Sequence, residues 1–116
     1  MDRCVLIIND SKFEKRILKD LFEKINFRAI IANEFNAIDI FLDNKPDLVF
    51  VNYVMEETDG ISLIKKIKFV DSDVKCVLSS CDSMDDIVGK TLEVDEFIKT
   101  PINLKDLVEK IIVLWE

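Results

Sequence analysis

The chain contains no histidine, two glycines, two prolines and three cysteines in 116 residues. Without histidine it cannot form the Ser-His or Cys-His pairs that activate nucleophiles at neutral pH. The odd number of cysteines and the absence of a CxxC spacing indicate reduced thiols, and they argue against a disulfide framework or a zinc site. Because glycine and proline are so rare, no linker or low-complexity segment is evident, and residues 1–116 are expected to form one domain.

Positive charge is also scarce, since 16 Lys and Arg oppose 23 Asp and Glu for a net charge of −7. This balance argues against nucleic-acid binding, which uses clustered basic residues, and against binding to an anionic membrane surface. The apolar run from Cys4 to Ile8 is too short for a signal peptide or a membrane span, so a cytoplasmic location is expected. The 49% hydrophobic share is sufficient for a packed core.

Short apolar runs alternate with segments of helical periodicity. This alternation predicts an α/β fold with a flavodoxin-like, doubly wound, five-stranded parallel sheet of order 2-1-3-4-5 and helices on both faces. Strands are predicted over Arg3–Ile8, Arg28–Ala32, Asp47–Asn52, Val74–Ser79 and Glu96–Lys99. Ser11 is expected to open the first helix in a capping box with Glu14, and further helices are predicted over Asn33–Asp43, Ile61–Phe69, Ser83–Leu92 and Asn103–Trp115.

The apolar positions of these helices are expected to face the core. They are Phe13, Ile17, Leu18, Leu21, Phe22 and Ile25 in the first helix, Ala37, Ile38, Phe41 and Leu42 in the second, Ile64 and Ile67 in the third, and Leu104, Leu107, Val108, Ile111, Ile112 and Trp115 in the last.

Polar residues follow four of the predicted strands. Asn9-Asp10 follows the first strand, Asn52 ends the third, Ser79-Ser80 ends the fourth, and Lys99-Thr100-Pro101 ends the fifth. In a doubly wound sheet the carboxyl ends of the strands share one edge, so these side chains are expected to converge on one pocket.

Two segments resemble the response-regulator receiver domains (CheY-like) of two-component systems. The first runs from Pro46 through Asn52 to Gly60, and the second is Phe97-Ile98-Lys99-Thr100-Pro101. The resemblance extends along nearly the whole chain. It implies that the position of Asn52 belongs to an aspartate that accepts a phosphoryl group from a histidine kinase. A carboxamide carries no formal charge and is not such a nucleophile.

The resemblance also assigns the other residues of the pocket. Asn9 takes the place of the first of two acidic residues that hold magnesium, and Asp10 keeps the second place. Ser79, or Ser80 after a shift of one residue, matches the hydroxyl residue that contacts the phosphoryl group. In the family a lysine directly precedes a proline. Here Thr100 directly precedes Pro101 and takes the position of that lysine, the lysine slot.

These departures identify a degenerate member of the family, a pseudo-receiver. Clustered carboxylates repel one another and require a neighbouring cation, so the loss of two carboxylates and the loss of the lysine are mutually consistent. The resemblance implies a non-enzymatic signalling module with no cofactor, or weak Mg²⁺ binding at a vestigial Asp10 ligand. Its partners would be signalling proteins: a histidine kinase, an effector or another receiver, with a homodimer also possible.

The expected partner face combines the fourth helix, the fifth strand and the last helix. Its candidate residues are Met84, Ile87, Lys90, Phe97 and Lys99, of which Phe97 matches the aromatic switch position of the family. Lys99 stands one residue before the lysine slot and should point to the opposite face of the strand.

Several alternatives stay open. The chain is an ordinary phosphoacceptor if Asn52 is an engineered or deamidation-prone replacement of aspartate. A small-molecule or nucleotide site in the same pocket is a weaker hypothesis, because no glycine-rich phosphate loop is present. Asp10 is equally well explained as a cap of the first helix.

Overall fold

Five short apolar runs pair as parallel strands in the computed structural model, which describes residues 3–81 and 92–115. The strands are β1 (Arg3–Ile8), β2 (Phe27–Ala32), β3 (Leu48–Asn52), β4 (Lys75–Ser80) and β5 (Glu96–Lys99). Their order in the sheet is β2-β1-β3-β4-β5. The predicted order is therefore confirmed, and β1 and β5 have the predicted bounds.

The described helices are α1 (Lys12–Lys24), α2 (Ala37–Asn44), α3 (Gly60–Val70) and α4 (Leu104–Ile112), and a 3₁₀ turn (Val113–Trp115) follows α4. Oxygens of the Ser11, Asp59 and Asn103 side chains cap α1, α3 and α4. The fourth predicted helix, over Ser83–Leu92, lies outside the described residues except for Leu92, which is in a turn.

The prediction that the second helix starts at Asn33 is wrong, because two asparagine side chains hold a turn there. The Asn33 Oδ1 atom accepts hydrogen bonds from the backbone N–H groups of Phe35 and Asn36. The Asn36 Oδ1 atom accepts one from the N–H of Asn33. Such local side-chain bonds compete with a helix for the same backbone groups, and α2 therefore begins at Ala37.

Alternate residues of the central strands point to opposite faces of the sheet and produce two cores. Leu6, Val49 and Leu78 belong to the core beneath α2 and α3. Val5, Phe50 and Val77 belong to the core beneath α1 and α4, where Phe22 makes edge-to-face contacts with Phe27 and Phe50 at ring distances of 5.3 and 5.4 Å. Burial of both faces explains why the strands read as continuous apolar runs.

Several apolar helix residues do not face the core as predicted. Phe13 is 75% exposed and Ile17 is 42% exposed, because the core beneath α1 is filled by Leu18 and Phe22. Leu42, Leu104 and Ile112 are exposed as well. Periodicity identifies the apolar positions of a helix but does not show which of them the rest of the fold covers.

Two aspartates pair neighbouring strands at the amino edge of the sheet. The Asp47 Oδ2 atom accepts from the Cys4 N–H at 2.7 Å, and the Asp47 N–H donates to the Cys4 carbonyl. Asp95 repeats the arrangement with Cys76, and its carboxylate also binds Lys68 Nζ at 2.8 Å. These bonds fix strand registration at the edge opposite the candidate pocket.

Burial also determines the reactivity of the three cysteines. It raises the pKa of Cys76 to about 12 and raises the pKa of Cys4 above its usual value, whereas Cys81 is exposed. Since the thiolate is the reactive form, we expect a maleimide to label Cys81 alone at pH 7.5 in the native protein and all three cysteines in denaturant. Intact-mass spectrometry counts the maleimide labels on the native and on the denatured protein. The control is Cys81→Ser, which should carry no label in its native state. Fast native labelling of Cys76 would contradict the described burial.

Candidate functional site

The polar residues predicted to converge do follow neighbouring strands at the carboxyl edge of the sheet. Asn52 at the end of β3 is in register with Ser79 of β4. The backbone N–H of Thr100 donates to the carbonyl of Ser80 at 3.0 Å, and that of Asn9 donates to the carbonyl of Ala32 at 3.2 Å. The topology therefore brings the ends of β1, β3, β4 and β5 to one edge.

Asn9 is buried, and both ends of its carboxamide are bonded within the chain. Its Oδ1 atom accepts from the Ser11 N–H at 2.8 Å, and its Nδ2 atom donates to Glu14 Oε2 at 2.8 Å. The predicted capping box is thus only half formed, since Ser11 Oγ caps the Glu14 N–H but the Glu14 side chain turns to Asn9. Glu14 is a site residue that sequence reasoning placed only in a helix cap.

Asp10 is exposed, next to the buried Asn9. The idea that Asp10 caps α1 is wrong, because the Ser11 side chain does so. Within residues 3–81 and 92–115, no three His, Cys, Asp or Glu side chains form a group able to hold a metal ion.

Asn52 is half-buried and begins the loop between β3 and α3. Its Nδ2 atom donates to the Val54 carbonyl at 2.7 Å. The loop folds back through a bridge between Val54 and Asp59, and the Gly60 N–H donates to the Tyr53 carbonyl at 2.8 Å. The amide of Asn52 is thus part of the hydrogen bonding that shapes its own loop.

Glu34 holds the far side of the same loop. It is 9% exposed, and its carboxylate accepts from the backbone N–H of Glu57 at 3.0 and 3.2 Å and from that of Thr58 at 3.0 Å. Sequence reasoning did not identify Glu34, because the residue was included in the second predicted helix. Its partners lie more than twenty positions away, and no local pattern indicates them.

We expect Glu34→Ala to lower the free energy of unfolding by about 2 kcal/mol, since the backbone N–H donors of Glu57 and Thr58 lose a charged acceptor. Chemical denaturation followed by circular dichroism measures the change. Glu56→Ala, at an exposed neighbouring loop position, is the matched control and should lie within about 0.5 kcal/mol of the parent. Equal effects of the two substitutions would contradict the assigned role of Glu34.

Ser79 and Thr100 line an open cleft of about 300 Å³ between α1 and the connection from β5 to α4. Ser79 is 1% exposed, and its Oγ atom lies 3.5 Å from the Val51 carbonyl. Thr100 is half-buried and is joined to Pro101 by a cis peptide bond. Ser80, the alternative to Ser79, is also buried but does not line this cleft.

Two residues of the predicted partner face are described. Phe97 is half-buried and packs against the core beneath α2 and α3, whereas Lys99 is exposed. Ile98 belongs to the opposite core, so strand alternation places Lys99 on the face away from Thr100. The other three predicted positions, Met84, Ile87 and Lys90, lie outside the described residues.

Comparisons with known proteins agree with this fold. The chain is 27% identical over 115 residues to the chemotaxis protein CheY of Bacillus subtilis, covering 96% of each chain. It is 26% identical over 94 residues to the sporulation initiation phosphotransferase F of the same organism, covering 80% of this chain and 76% of that one. Among solved structures, a two-component response regulator from Clostridium difficile superposes with a TM-score of 0.88 at 26% identity, covering 98% and 96% of the two chains.

The sequence model of the response regulator receiver domain matches residues 5–112, which is most of the chain. That range includes the strand ends and the loop described above. None of the described helices is long and apolar enough to cross a membrane. The chain therefore belongs to the response-regulator receiver domains of two-component signalling systems.

Proposed function

We propose that this receiver domain is a pseudo-receiver, which binds partner proteins and does not accept a phosphoryl group at residue 52. One observation carries the proposal: a carboxamide occupies the acceptor position, and its Nδ2 atom is committed to the Val54 carbonyl at 2.7 Å. Phosphoryl transfer needs an in-line oxygen nucleophile, a divalent cation and positive charge at the equatorial oxygens.

The first requirement is not met by Asn52. Its nitrogen lone pair is delocalised into the carbonyl group, so the amide oxygen carries no formal charge. Because Nδ2 is bonded to the loop, a rotation that exchanged the two ends of the amide would place Oδ1 against the Val54 carbonyl oxygen. The loop therefore favours one orientation of a side chain that is not a nucleophile.

The magnesium site is also incomplete. Mg²⁺ prefers charged oxygen ligands in octahedral geometry. The Asn9 oxygen already accepts the Ser11 N–H, and the amide nitrogen faces Glu14. Asp10 alone keeps a carboxylate at the positions that the family uses for the metal. These residues do not fit a tightly bound Mg²⁺, and weak binding at Asp10 is the most that they support.

The positive charge is missing from the lysine slot. Thr100 stands directly before Pro101, and the described residues that line the adjacent cleft include no lysine or arginine. Lys99 is exposed on the opposite face of β5. A phosphoryl group at this edge would therefore meet the carboxylates of Asp10 and Glu14 without a compensating cation from β5.

The loop after Asn52 is held in one arrangement by groups within the domain. Glu34 binds two of its backbone N–H groups, and Gly60 binds the Tyr53 carbonyl. A ligand changes a conformation only through different affinities for two states. These bonds support a constitutive module that is regulated by association with a partner or by dimerisation, in place of phosphorylation.

Receiver domains are in general signalling modules that associate with kinases, phosphotransferases and effector domains. For this chain we propose the same classes of partner in the cytoplasm, at the face that includes Phe97, Lys99 and the predicted helix over Ser83–Leu92. Phe97 supplies a half-buried aromatic ring and Lys99 an exposed charge on the same face of β5. Such a pair is suited to an interface with an apolar centre and a polar rim.

Nitrogen-15 NMR spectra with Mg²⁺ and beryllium fluoride test the proposal. Beryllium fluoride mimics a phosphoryl group on an acceptor carboxylate, and we expect no shifts at Asn52, Ser79 or Phe97. The matched control is Asn9→Asp/Asn52→Asp/Thr100→Lys, which restores the family's groups and should respond. Saturable shifts at Asn52 and Phe97 in the unmodified chain would overturn the proposal.

A further inference from the structure

The cleft beside Thr100 has the character of a ligand site of its own. Its described lining combines five apolar side chains with three polar ones, and these are Phe13, Ile17, Leu18, Pro101, Ile102, Glu14, Ser79 and Thr100. We propose that this cleft binds a small hydrophobic amine, with its ring or alkyl group between α1 and the β5–α4 connection and its ammonium group at Glu14. This ligand site rests on the proposed function, because it requires that no phosphoryl group is bound at this edge of the sheet.

Part of the apolar lining of the cleft is exposed to solvent. Phe13 is 75% exposed and Ile17 is 42% exposed, and both line the cleft together with Pro101 and Ile102. Contact with an apolar ligand would remove part of this surface from water, which is favourable at about 25 cal/mol per Å². The volume of about 300 Å³ is at the lower end of small-molecule sites and suits a ligand with one ring.

Charge determines the class of ligand. Glu14 is the charged residue among the described lining, and no described lysine or arginine lines the cleft. Its Oε2 atom is held by Asn9 Nδ2 at 2.8 Å, which leaves the carboxylate available to a second donor. A cationic ligand would gain a charge-assisted hydrogen bond there, whereas a phosphate or carboxylate would meet like charge.

The cleft lining includes the buried hydroxyl of Ser79, which makes a long contact within the described residues. Ser79 is 1% exposed, and its hydroxyl contact within the described chain is the 3.5 Å distance to the Val51 carbonyl. That distance is long for an O–H···O bond, which is usually about 2.7 Å. A buried hydroxyl with a weak partner can therefore donate to or accept from a polar ligand atom.

The residues that depart from the family pattern, Asn9 and Thr100, also affect the charge and space of the cleft. An aspartate in place of Asn9 would repel Glu14, and a lysine in place of Thr100 would neutralise it and occupy the space. The amide and the threonine found here instead leave an oriented carboxylate beside an open apolar cavity. The substitutions that remove phosphoryl chemistry thus produce the features that favour an amine.

Titration with three molecules of similar shape tests the class of ligand. The probes are 2-phenylethylamine, 2-phenylethanol and 3-phenylpropionate, each followed by nitrogen-15 NMR of the intact chain in EDTA without phosphodonor. We expect shifts at Ile17, Ser79 and Thr100, with the amine binding about tenfold more tightly than the carboxylate, as one charge-assisted bond provides. Equal affinities, shifts confined to other surfaces, or no saturable binding of the amine would overturn the proposal.

Three variants separate the ligand site from general surface effects. Glu14→Gln should weaken amine binding about tenfold and leave the alcohol unchanged, since only the charge is removed. Thr100→Lys should abolish amine binding, because the new ammonium fills and neutralises the cleft. Glu109→Gln, at an exposed position of α4, is the matched control and should bind like the parent. Amine binding that survives Thr100→Lys would contradict the assigned site.

The two proposals fail in different ways. A phosphoryl adduct on the unmodified chain would overturn the proposed function, and the amine titration in EDTA without phosphodonor would still decide the ligand site. Loss of the amine preference in EDTA would overturn the ligand site and leave the phosphorylation measurements untouched.

Discussion

Gly60→Ala is expected to lower the free energy of unfolding by about 3 kcal/mol, the upper range for overpacking a tight core. A Cβ atom at this position would lie 2.5 Å from the Asn52 carbonyl oxygen and 2.6 Å from Leu78 Cδ1. The Leu78 side chain can turn away, but the carbonyl oxygen is part of β3 and has little freedom. Glycine is therefore required where α3 begins, because the backbone of residue 52 passes directly over it.

Urea denaturation followed by circular dichroism measures the effect of Gly60→Ala. Ser62→Ala, in the same helical turn, is the control and should cost less than about 1 kcal/mol, since its hydroxyl makes one contact of 3.2 Å with Asp59. If Gly60→Ala were as stable as the parent, the described approach of α3 to the end of β3 would be wrong.

Asn9→Asp is the second substitution with a large expected effect, again about 3 kcal/mol at pH 7. Asn9 is 1% exposed, and its Nδ2 atom donates to Glu14 Oε2 at 2.8 Å. The new carboxylate would lose this bond, face a like charge and lie buried with the Ser11 N–H as its donor. Restoring the family's acidic residue should therefore destabilise this particular chain.

A double substitution isolates the cause. Glu14→Gln in the Asn9→Asp background supplies an N–H donor to the new carboxylate and should recover at least about 1 kcal/mol. Asp10→Asn, which removes an exposed carboxylate nearby, should change stability by less than about 0.5 kcal/mol. Equal stability of Asn9→Asp and the parent without metal would show that carboxylate repulsion does not matter in this pocket.

Much of the fold was predictable because both faces of the sheet are buried. A continuous apolar run such as residues 5–8 is typical of a strand that is covered on both sides. The alternation with helices predicted a parallel sheet, for which the flavodoxin-like order 2-1-3-4-5 was the expected one. The start of α2 was not predictable from periodicity, because Asn33 and Asn36 bond to the backbone of their own turn. Phe13 was placed in the core, since periodicity shows which side of a helix is apolar and not what covers it.

The site was predictable where its residues directly follow a strand, as Asn9 does, or lie at its carboxyl end, as Asn52 and Ser79 do. Thr100 required the family resemblance, since only the neighbouring proline identifies the lysine slot. Glu34 could not be found, because its bonds to Glu57 and Thr58 depend on how two loops meet in space. The hydrogen bond between Asn9 and Glu14 was not predicted either, because the spacing of Ser11 and Glu14 indicated a capping box for the Glu14 side chain.

Mass spectrometry of the intact chain, after incubation with Mg²⁺ and acetyl phosphate, tests most directly whether an amide at residue 52 prevents covalent signalling. We predict that the parent protein keeps its original mass. The Asn9→Asp/Asn52→Asp/Thr100→Lys variant, which regains nucleophile, metal ligands and cation, should gain one phosphoryl group, and Asn52→Asp alone should gain it more slowly. A stoichiometric phosphoryl adduct on the parent, whether on another side chain or on residue 52 after deamidation, would contradict the account.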